Sequence, residues 1–148
     1  MTSSATEVAF HFNASDRTAY ACRLLRKAVA SGARVVVTGD SDTLQLLDAA
    51  LWTFSATDFV PHCRLDSDAW VVEASPVILA TSLQTVPHRQ VLLNLGHGVP
   101  DGFERFERVI ELVGMDDEER QLARVRWKHY TDRGHAITRH DLTLKTSA

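Results

Sequence analysis

Hydrophobic and polar positions follow two different periods along the chain, and these periods separate strands from helices. "EVAFHFN" (7–13) alternates apolar and polar residues, which predicts a strand. Residues 15–30 have the period of an amphipathic helix, with Ser15 as its predicted N-cap. "RVVVTGD" (34–40) contains a continuous β-branched run, which is typical of a strand buried on both faces of a parallel sheet. Strand, helix and strand in this order predict a right-handed βαβ unit.

The same alternation continues through the rest of the chain. Residues 41–52 predict a second amphipathic helix, with leucines on one side: Leu44, Leu47 and Leu51. Strands are predicted for three apolar runs: 76–81, 90–95 and 106–113. Acidic residues at 116–119 open a helix that is predicted to end near Asp132, before Gly134. We therefore expect one three-layer α/β domain over residues 1–148, with a mostly parallel sheet between helices and a frayed tail at 143–148.

Charge is distributed unevenly along this pattern. The net charge is −3, but residues 120–148 carry +5 and the preceding residues carry −8. A nucleic-acid binder is usually basic overall, so the acidic body does not fit that class. The positive charge concentrates in "RQLARVRWKHY" (120–130), where four residues share one helical face: Arg120, Arg124, Trp127 and Lys128. This face predicts a local site for an acidic ligand.

The basic helix also has a simpler interpretation. Many amphipathic helices carry arginines on a solvent-exposed face that binds nothing. In that case the apolar residues of the helix would be partly buried and the arginines would face water: Leu122, Val125 and Trp127 would form the buried side. From the pattern alone both interpretations remain open.

Motifs for catalysis, cofactors and metals are not found in the sequence. The turn after the second strand has one glycine, Gly39, and matches neither GxxxxGK[ST] nor GxGxxG. Asp40 and Asp42 would repel phosphate there, so we expect a plain turn and a helix cap. The histidines form no HExxH motif, and Cys22 and Cys63 lack CxxC spacing, which favours two buried free thiols. We expect no catalytic residue, no cofactor and no metal.

Two further features of the sequence bear on the location of the protein and on its partners. The chain has no apolar run near 18 residues and no basic start followed by an apolar signal core, so we expect a cytoplasmic protein without a membrane span. "LWTFSATDFVPH" (51–62) contains Trp52, Phe54 and Phe59 together with Pro61. These residues are either core or an exposed aromatic patch of the kind that anchors protein interfaces.

Three separate stretches of the chain resemble one known family. They are "LDAALW" followed by "FVPH" (47–52 and 59–62), "FERVIELV" (106–113), and "QLARVRWKHY" (121–130) with Gly134 after it. In order and spacing they resemble the chi subunit of bacterial DNA polymerase III, from about residue 34 onward. Trp127 stands where the resemblance leads us to expect tyrosine.

The resemblance implies a non-catalytic accessory subunit of the replicative polymerase's clamp-loader assembly. It implies two partners: the psi subunit, and the acidic C-terminal tail of the single-stranded-DNA-binding protein (SSB), which ends in Pro-Phe with a free carboxylate. Single-stranded DNA would then be reached only indirectly, through SSB. By the resemblance, the tail is bound by Val113, Arg120, Arg124, Trp127 and Lys128.

The resemblance also assigns the aromatic loop. By the same resemblance, psi would contact Trp52, Phe59 and Pro61, and a helicase-like partner would be its competitor for this surface. The alternative from a different class is a nucleotide- or small-molecule-binding α/β enzyme that uses the crevice near Gly39, where strands of such folds end.

Overall fold

The structure, a computed structural model, describes residues 6–53 and 60–145. These residues form a seven-stranded, entirely parallel sheet in the order β3-β4-β2-β5-β6-β1-β7. The strands are β1 Glu7–Ala14, β2 Val35–Thr38, β3 His62–Arg64, β4 Val77–Ala80, β5 Val91–Asn94, β6 Arg108–Gly114 and β7 Ile137–Asp141. The α-helices are α1 Arg17–Ala30, α2 Ser41–Thr53, α3 Ala69–Ala74 and α4 Asp117–Asp132. The predicted α/β class is confirmed.

The sheet separates two hydrophobic cores, which makes the domain three layers thick. Successive residues of a strand point to opposite faces. Val35 and Val37 therefore pack with α1 and α2, while Val36 packs on the other side with α3 and α4. The β-branched run in the sequence is thus apolar throughout because both of its faces are covered by helices.

Helix boundaries agree with the prediction except at one cap. The predicted N-cap Ser15 is wrong by one residue: the Asp16 side chain accepts a hydrogen bond from the Ala19 backbone N–H at 3.0 Å and caps α1. At α4 the prediction is confirmed, since Asp116 caps the helix and Gly134 follows it with a φ of 82°. This left-handed conformation ends the helix at low cost because glycine has no Cβ.

Three short elements were not located from the sequence: β3, α3 and β7, although the C-terminal segment that contains β7 has a partly strand-like pattern. Strand β7 pairs with β1, Val8 opposite Ile137, and forms one edge of the sheet. An edge strand has a partner on one side only, so its sequence "ITRHD" lacks the apolar run of the central strands. The chain continues into a 3₁₀ helix, Leu142–Lys145, and the last part of the tail predicted to fray, 146–148, lies outside the described residues.

Candidate functional site

A pocket opens between α4 and the ends of β1 and β7. Its cavity volume is about 570 Å³. Five lining residues are apolar and form its floor: Phe10, Phe12, Val113, Ala123 and Trp127. The remaining lining residues are polar or positively charged: Asn13, Arg120, Arg124 and Arg139. The lining therefore combines an apolar slot with three guanidinium groups and no carboxylate.

Two elements of regular structure bring the floor together. On β1, Phe10 and Phe12 are two residues apart and point to the α4 side of the sheet. On α4, Ala123 and Trp127 are four residues apart and lie on the same helical face. The Phe10 and Trp127 ring centroids are 5.0 Å apart, so strand and helix meet at the pocket floor.

Arg139 enters the pocket from the edge strand β7. The parallel register places Arg139 beside Phe10 of β1. Its guanidinium carbon lies 5.7 Å from the centroid of the Phe12 ring and 5.9 Å from that of Trp127. Attraction between a cation and an aromatic face holds the guanidinium there, where no described acceptor takes a hydrogen bond from it.

The arginines of α4 differ in how they are held. The Arg120 Nη2 donates a hydrogen bond to the Asn13 Oδ1 at 2.9 Å. Arg124 is exposed, and within residues 6–53 and 60–145 it makes no hydrogen bond or ion pair. A guanidinium presents several donors in a planar fork that fits a carboxylate, so Arg124 is the group available for an anionic ligand.

The buried face of α4 is held to the sheet by a polar network around Glu111. Asn94 and Arg126 donate to this carboxylate, the Arg126 Nε at 2.9 Å, and the Tyr130 hydroxyl donates at 2.5 Å. A second nitrogen of Arg126 donates to the His97 carbonyl at 2.9 Å. Burial raises the pKa of the Glu111 carboxyl, an effect opposed by the Arg126 charge and the three donors. The network links α4 to strands β5 and β6.

The structure brings together four of the five residues predicted for tail binding. Val113, Arg120, Arg124 and Trp127 all line the pocket. Lys128 is not among the described lining residues, and its Nζ lies 3.2 Å from the Asp132 Oδ2. Its role in binding stays a prediction.

The simpler interpretation of α4 as an ordinary amphipathic helix is wrong in two of its details. Val125 was placed on the buried side but is 67% exposed. Arg126 was placed in solvent but is 4% exposed, because Glu111 offers it a partner inside the core. The helix therefore has one buried cation that serves the fold and separate exposed cations beside the pocket.

Sequence reasoning missed five pocket residues: Phe10, Phe12, Asn13, Ala123 and Arg139. The two phenylalanines carried a signal, because they fall on one face of the predicted first strand. Arg139 carried only the positive charge of the C-terminal segment, since nothing in the sequence states that β7 pairs with β1.

Near Gly39, where the alternative enzyme would have its crevice, charged side chains pair with other protein groups. The Arg17 Nη1 donates to the Leu95 carbonyl at 3.0 Å, and the Arg17 Nε lies 3.4 Å from the Glu119 Oε1. Asp40 caps α2 by accepting from the Thr43 backbone N–H at 2.7 Å, and this hydrogen bond lowers the pKa of Asp40. The predicted helix cap is confirmed.

The aromatic loop is described in part. Trp52 is 62% exposed, with its ring 5.3 Å from that of His62, and Pro61 is also exposed. Phe54 and Phe59 lie outside the described residues. Trp70 on α3, which was not singled out in the sequence, is 72% exposed. The described part of the loop therefore supports an exposed patch at Trp52.

The remaining expectations concern thiols, metals and membranes. Cys22 and Cys63 are buried free thiols, as predicted. The described ranges contain no group of three or more histidine, cysteine, aspartate or glutamate residues arranged to hold a metal ion. Within the same ranges, no helix has both the length and the apolar character needed to cross a membrane.

Comparison with known proteins identifies the family. A family model described as DNA polymerase III chi subunit, HolC, matches residues 5–138. The chain is 34% identical over 129 residues to the DNA polymerase III subunit chi of Pseudomonas aeruginosa, which covers 86% of this chain and 88% of that protein. It is 30% identical to the subunit chi of Haemophilus influenzae, over 73% of this chain and 75% of that one. For the subunit chi of Escherichia coli the identity is 31%, over 74% of each chain. The chain therefore belongs to the DNA polymerase III chi subunit family.

Proposed function

We propose that this protein is a non-catalytic accessory subunit of the bacterial DNA polymerase III holoenzyme. In this role it connects the clamp loader, through psi, to the acidic C-terminal tail of SSB, and reaches single-stranded DNA only through SSB. The observation that carries the proposal is the pocket on α4, where an apolar floor lies beside three arginines and no lining residue carries a carboxylate. Membership of a replication complex is in keeping with the family.

The chemistry of the pocket complements a peptide that ends in phenylalanine. A phenyl ring needs an apolar slot, which the rings of Phe10, Phe12 and Trp127 provide. The free C-terminal carboxylate needs paired donors, and we assign it to Arg124, whose guanidinium is exposed and has no described partner. The aspartates upstream are attracted by the remaining positive charge at the pocket mouth.

The exposure of these charges sets the expected strength of binding. Solvent and salt weaken interactions between exposed charges, since the Debye length is about 10 Å at 0.1 M salt. We therefore expect a dissociation constant on the order of 1 μM, and a clear loss of affinity as salt is raised. A modest affinity suits a contact that must form and break repeatedly.

We assign the second partner, psi or a helicase-like competitor, to the exposed aromatic patch. Trp52 is 62% exposed, and Pro61 is also exposed in the same segment of the chain. A large exposed aromatic residue is typical of the centre of a protein interface. Trp52→Ala should abolish capture of purified psi and leave tail binding intact. Loss of both activities would indicate a role in folding and contradict the assignment.

The direct test is a calorimetric titration with three peptides that carry the acidic SSB tail. One ends in Pro-Phe with a free carboxylate, the second lacks the final phenylalanine, and the third ends in a carboxamide. Saturable binding of the first peptide only is the expected result. Equal binding of all three, or binding of none at low salt, would refute the proposal.

Two variants sharpen this test. Arg124→Ala should lose the preference for a free carboxylate over the carboxamide. Arg105→Ala removes an exposed arginine that is not part of the pocket lining, and it should behave like the unmodified protein. If both variants weaken binding equally, the effect is one of general charge and the pocket is not the site.

A further inference from the structure

Strand β1 contains an irregularity at the point where it reaches the pocket. Between the pairs His11–Leu112 and Ala14–Gly114, β1 advances three residues while β6 advances two. This is a β-bulge, in which one strand carries an extra residue. Asn13 lies within it and has a φ of 64°, the only positive φ outside glycine among the described residues. Asparagine tolerates this left-handed conformation better than most residues do.

The bulge changes which side chains reach the pocket. In a regular strand, Phe12 and Asn13 would point to opposite faces of the sheet. Both line the pocket, whereas Ala14 packs into the core on the other face. The irregular backbone therefore delivers one additional polar side chain, the Asn13 amide, to the pocket.

The neighbours of this amide fix its orientation. The Asn13 Nδ2 donates to the Asp141 Oδ1 at 3.0 Å, and the Asn13 Oδ1 accepts from the Arg120 Nη2 at 2.9 Å. An ionised carboxylate can only accept and a guanidinium can only donate, so the reversed amide would lose both hydrogen bonds. The Asn13 hydrogen bond is also the main cause that lowers the pKa of Asp141, which keeps this carboxylate ionised.

The hydrogen bond to Asn13 distinguishes Arg120 from its neighbour Arg124. The two are one helical turn apart on α4, but only Arg120 has a described hydrogen bond to protein. A long side chain that is already held loses less rotamer freedom when a ligand binds. Arg120 therefore offers a preorganised charge, while Arg124 must be ordered by the ligand.

We propose that Asn13 is a positioning residue of the pocket, which holds Arg120 ready for an acidic peptide through the chain Asp141–Asn13–Arg120. This inference rests on the proposed function, since the ligand is the acidic tail assigned there. The ligand touches Arg120, and Asn13 acts through it.

A double-mutant cycle in peptide affinity tests the proposal. Asn13→Gly keeps the left-handed backbone accessible and removes only the amide. In the protein that retains Arg120, this substitution should raise the dissociation constant of the acidic Pro-Phe peptide about fivefold. In an Arg120→Ala background the same substitution should change affinity by less than 1.5-fold, because the group it positions is gone. Equal losses in both backgrounds would show a general structural effect and overturn the proposal.

Nuclear magnetic resonance of the arginine side chains provides a test that does not depend on the peptide. The Arg120 Nε–H group should be more ordered than that of Arg124 in the unmodified protein, and Asn13→Gly should remove the difference. Equal mobility of the two arginines in the unmodified protein would overturn the proposal. If the unmodified protein fails to bind the tail while Arg120 is ordered as described, the proposed function fails and the positioning by Asn13 stands.

Discussion

The two faces of α4 place arginines in opposite situations. Arg124 is exposed and has no described hydrogen bond or ion pair. Arg126, two residues further along, is 4% exposed, lies 2.9 Å from the Glu111 carboxylate and donates to the His97 carbonyl. Two residues correspond to about 200° around a helix, so the two side chains point in nearly opposite directions.

The difference shows which arginine serves the fold and which serves a ligand. A buried charge is tolerated only when its partners are built into the protein, as Glu111 is for Arg126. An exposed guanidinium beside an apolar pocket has unused donors, which are available for a partner. The same residue type therefore has a structural task on one face and a proposed binding task on the other.

The largest effect is expected from Arg126→Ala. Removing this side chain leaves the buried Glu111 without its positive partner, and breaking a buried pair costs about 3–5 kcal/mol. The free energy of unfolding, measured by urea denaturation, should fall by this amount. Arg124→Ala is the matched control on the same helix and should change it by less than about 0.5 kcal/mol. A loss below about 1 kcal/mol for Arg126→Ala would contradict the assigned role, because it lies below the range for such pairs.

The second-largest effect is expected on peptide binding, where the residue that matters is Arg124 and not Arg126. Arg124→Ala should raise the dissociation constant of the acidic Pro-Phe peptide at least tenfold, since truncating an interface anchor costs about 2 kcal/mol. Calorimetric titration checks this, with the unfolding measurement confirming that the variant is folded. An unchanged dissociation constant would refute the assignment of the tail carboxylate to Arg124.

The sequence was sufficient for most of the fold because most elements have an amphipathic or fully buried pattern. The runs at β2, β4 and β5 are apolar on both faces, and α1, α2 and α4 show clear helical periods. Strand β3 has three residues and α3 has six, so neither contains enough positions to show a period. Strand β7 exists because β1 offers an open edge, which is a property of the assembled sheet.

The site was predictable where its residues share one element. Arg120, Arg124 and Trp127 follow helical spacing, so their common face was visible in the sequence. Arg126 was assigned to solvent because its partner, Glu111, is on a different element. The bulge at Asn13 was hidden for a different reason: asparagine adopts a left-handed conformation only where its surroundings hold it there.

A smaller effect is expected from Arg139, the cation on the opposite wall of the pocket. Arg139→Ala removes one positive charge and the stacking on Phe12 and Trp127, and an exposed cation–aromatic contact contributes about 0.5–1 kcal/mol. We expect the peptide dissociation constant to rise about threefold at 0.1 M salt. Arg139→Lys keeps the charge and loses the planar group over the rings, so its affinity should lie between that of the unmodified protein and that of Arg139→Ala. An Arg139→Ala protein with unchanged affinity and unchanged salt dependence would exclude this residue from the site.

The smallest effect is expected from Lys128, although it lies one residue from Trp127. Its Nζ is 3.2 Å from the Asp132 carboxylate one turn further along α4, and its side chain is not among the described pocket lining. An exposed pair at this spacing contributes about 0.3–0.5 kcal/mol, so the charge of Lys128 is already balanced locally. Lys128→Ala should change the peptide dissociation constant by less than twofold.

Asp132→Ala is the reverse experiment, because it leaves Lys128 without this carboxylate. If Asp132→Ala raises the affinity and adding Lys128→Ala abolishes the gain, Asp132 restrains a cation that binds the peptide. A tenfold loss for Lys128→Ala alone would instead mean that the peptide extends along α4 beyond the pocket, and the comparison between the two faces of the helix would have to include a longer exposed surface.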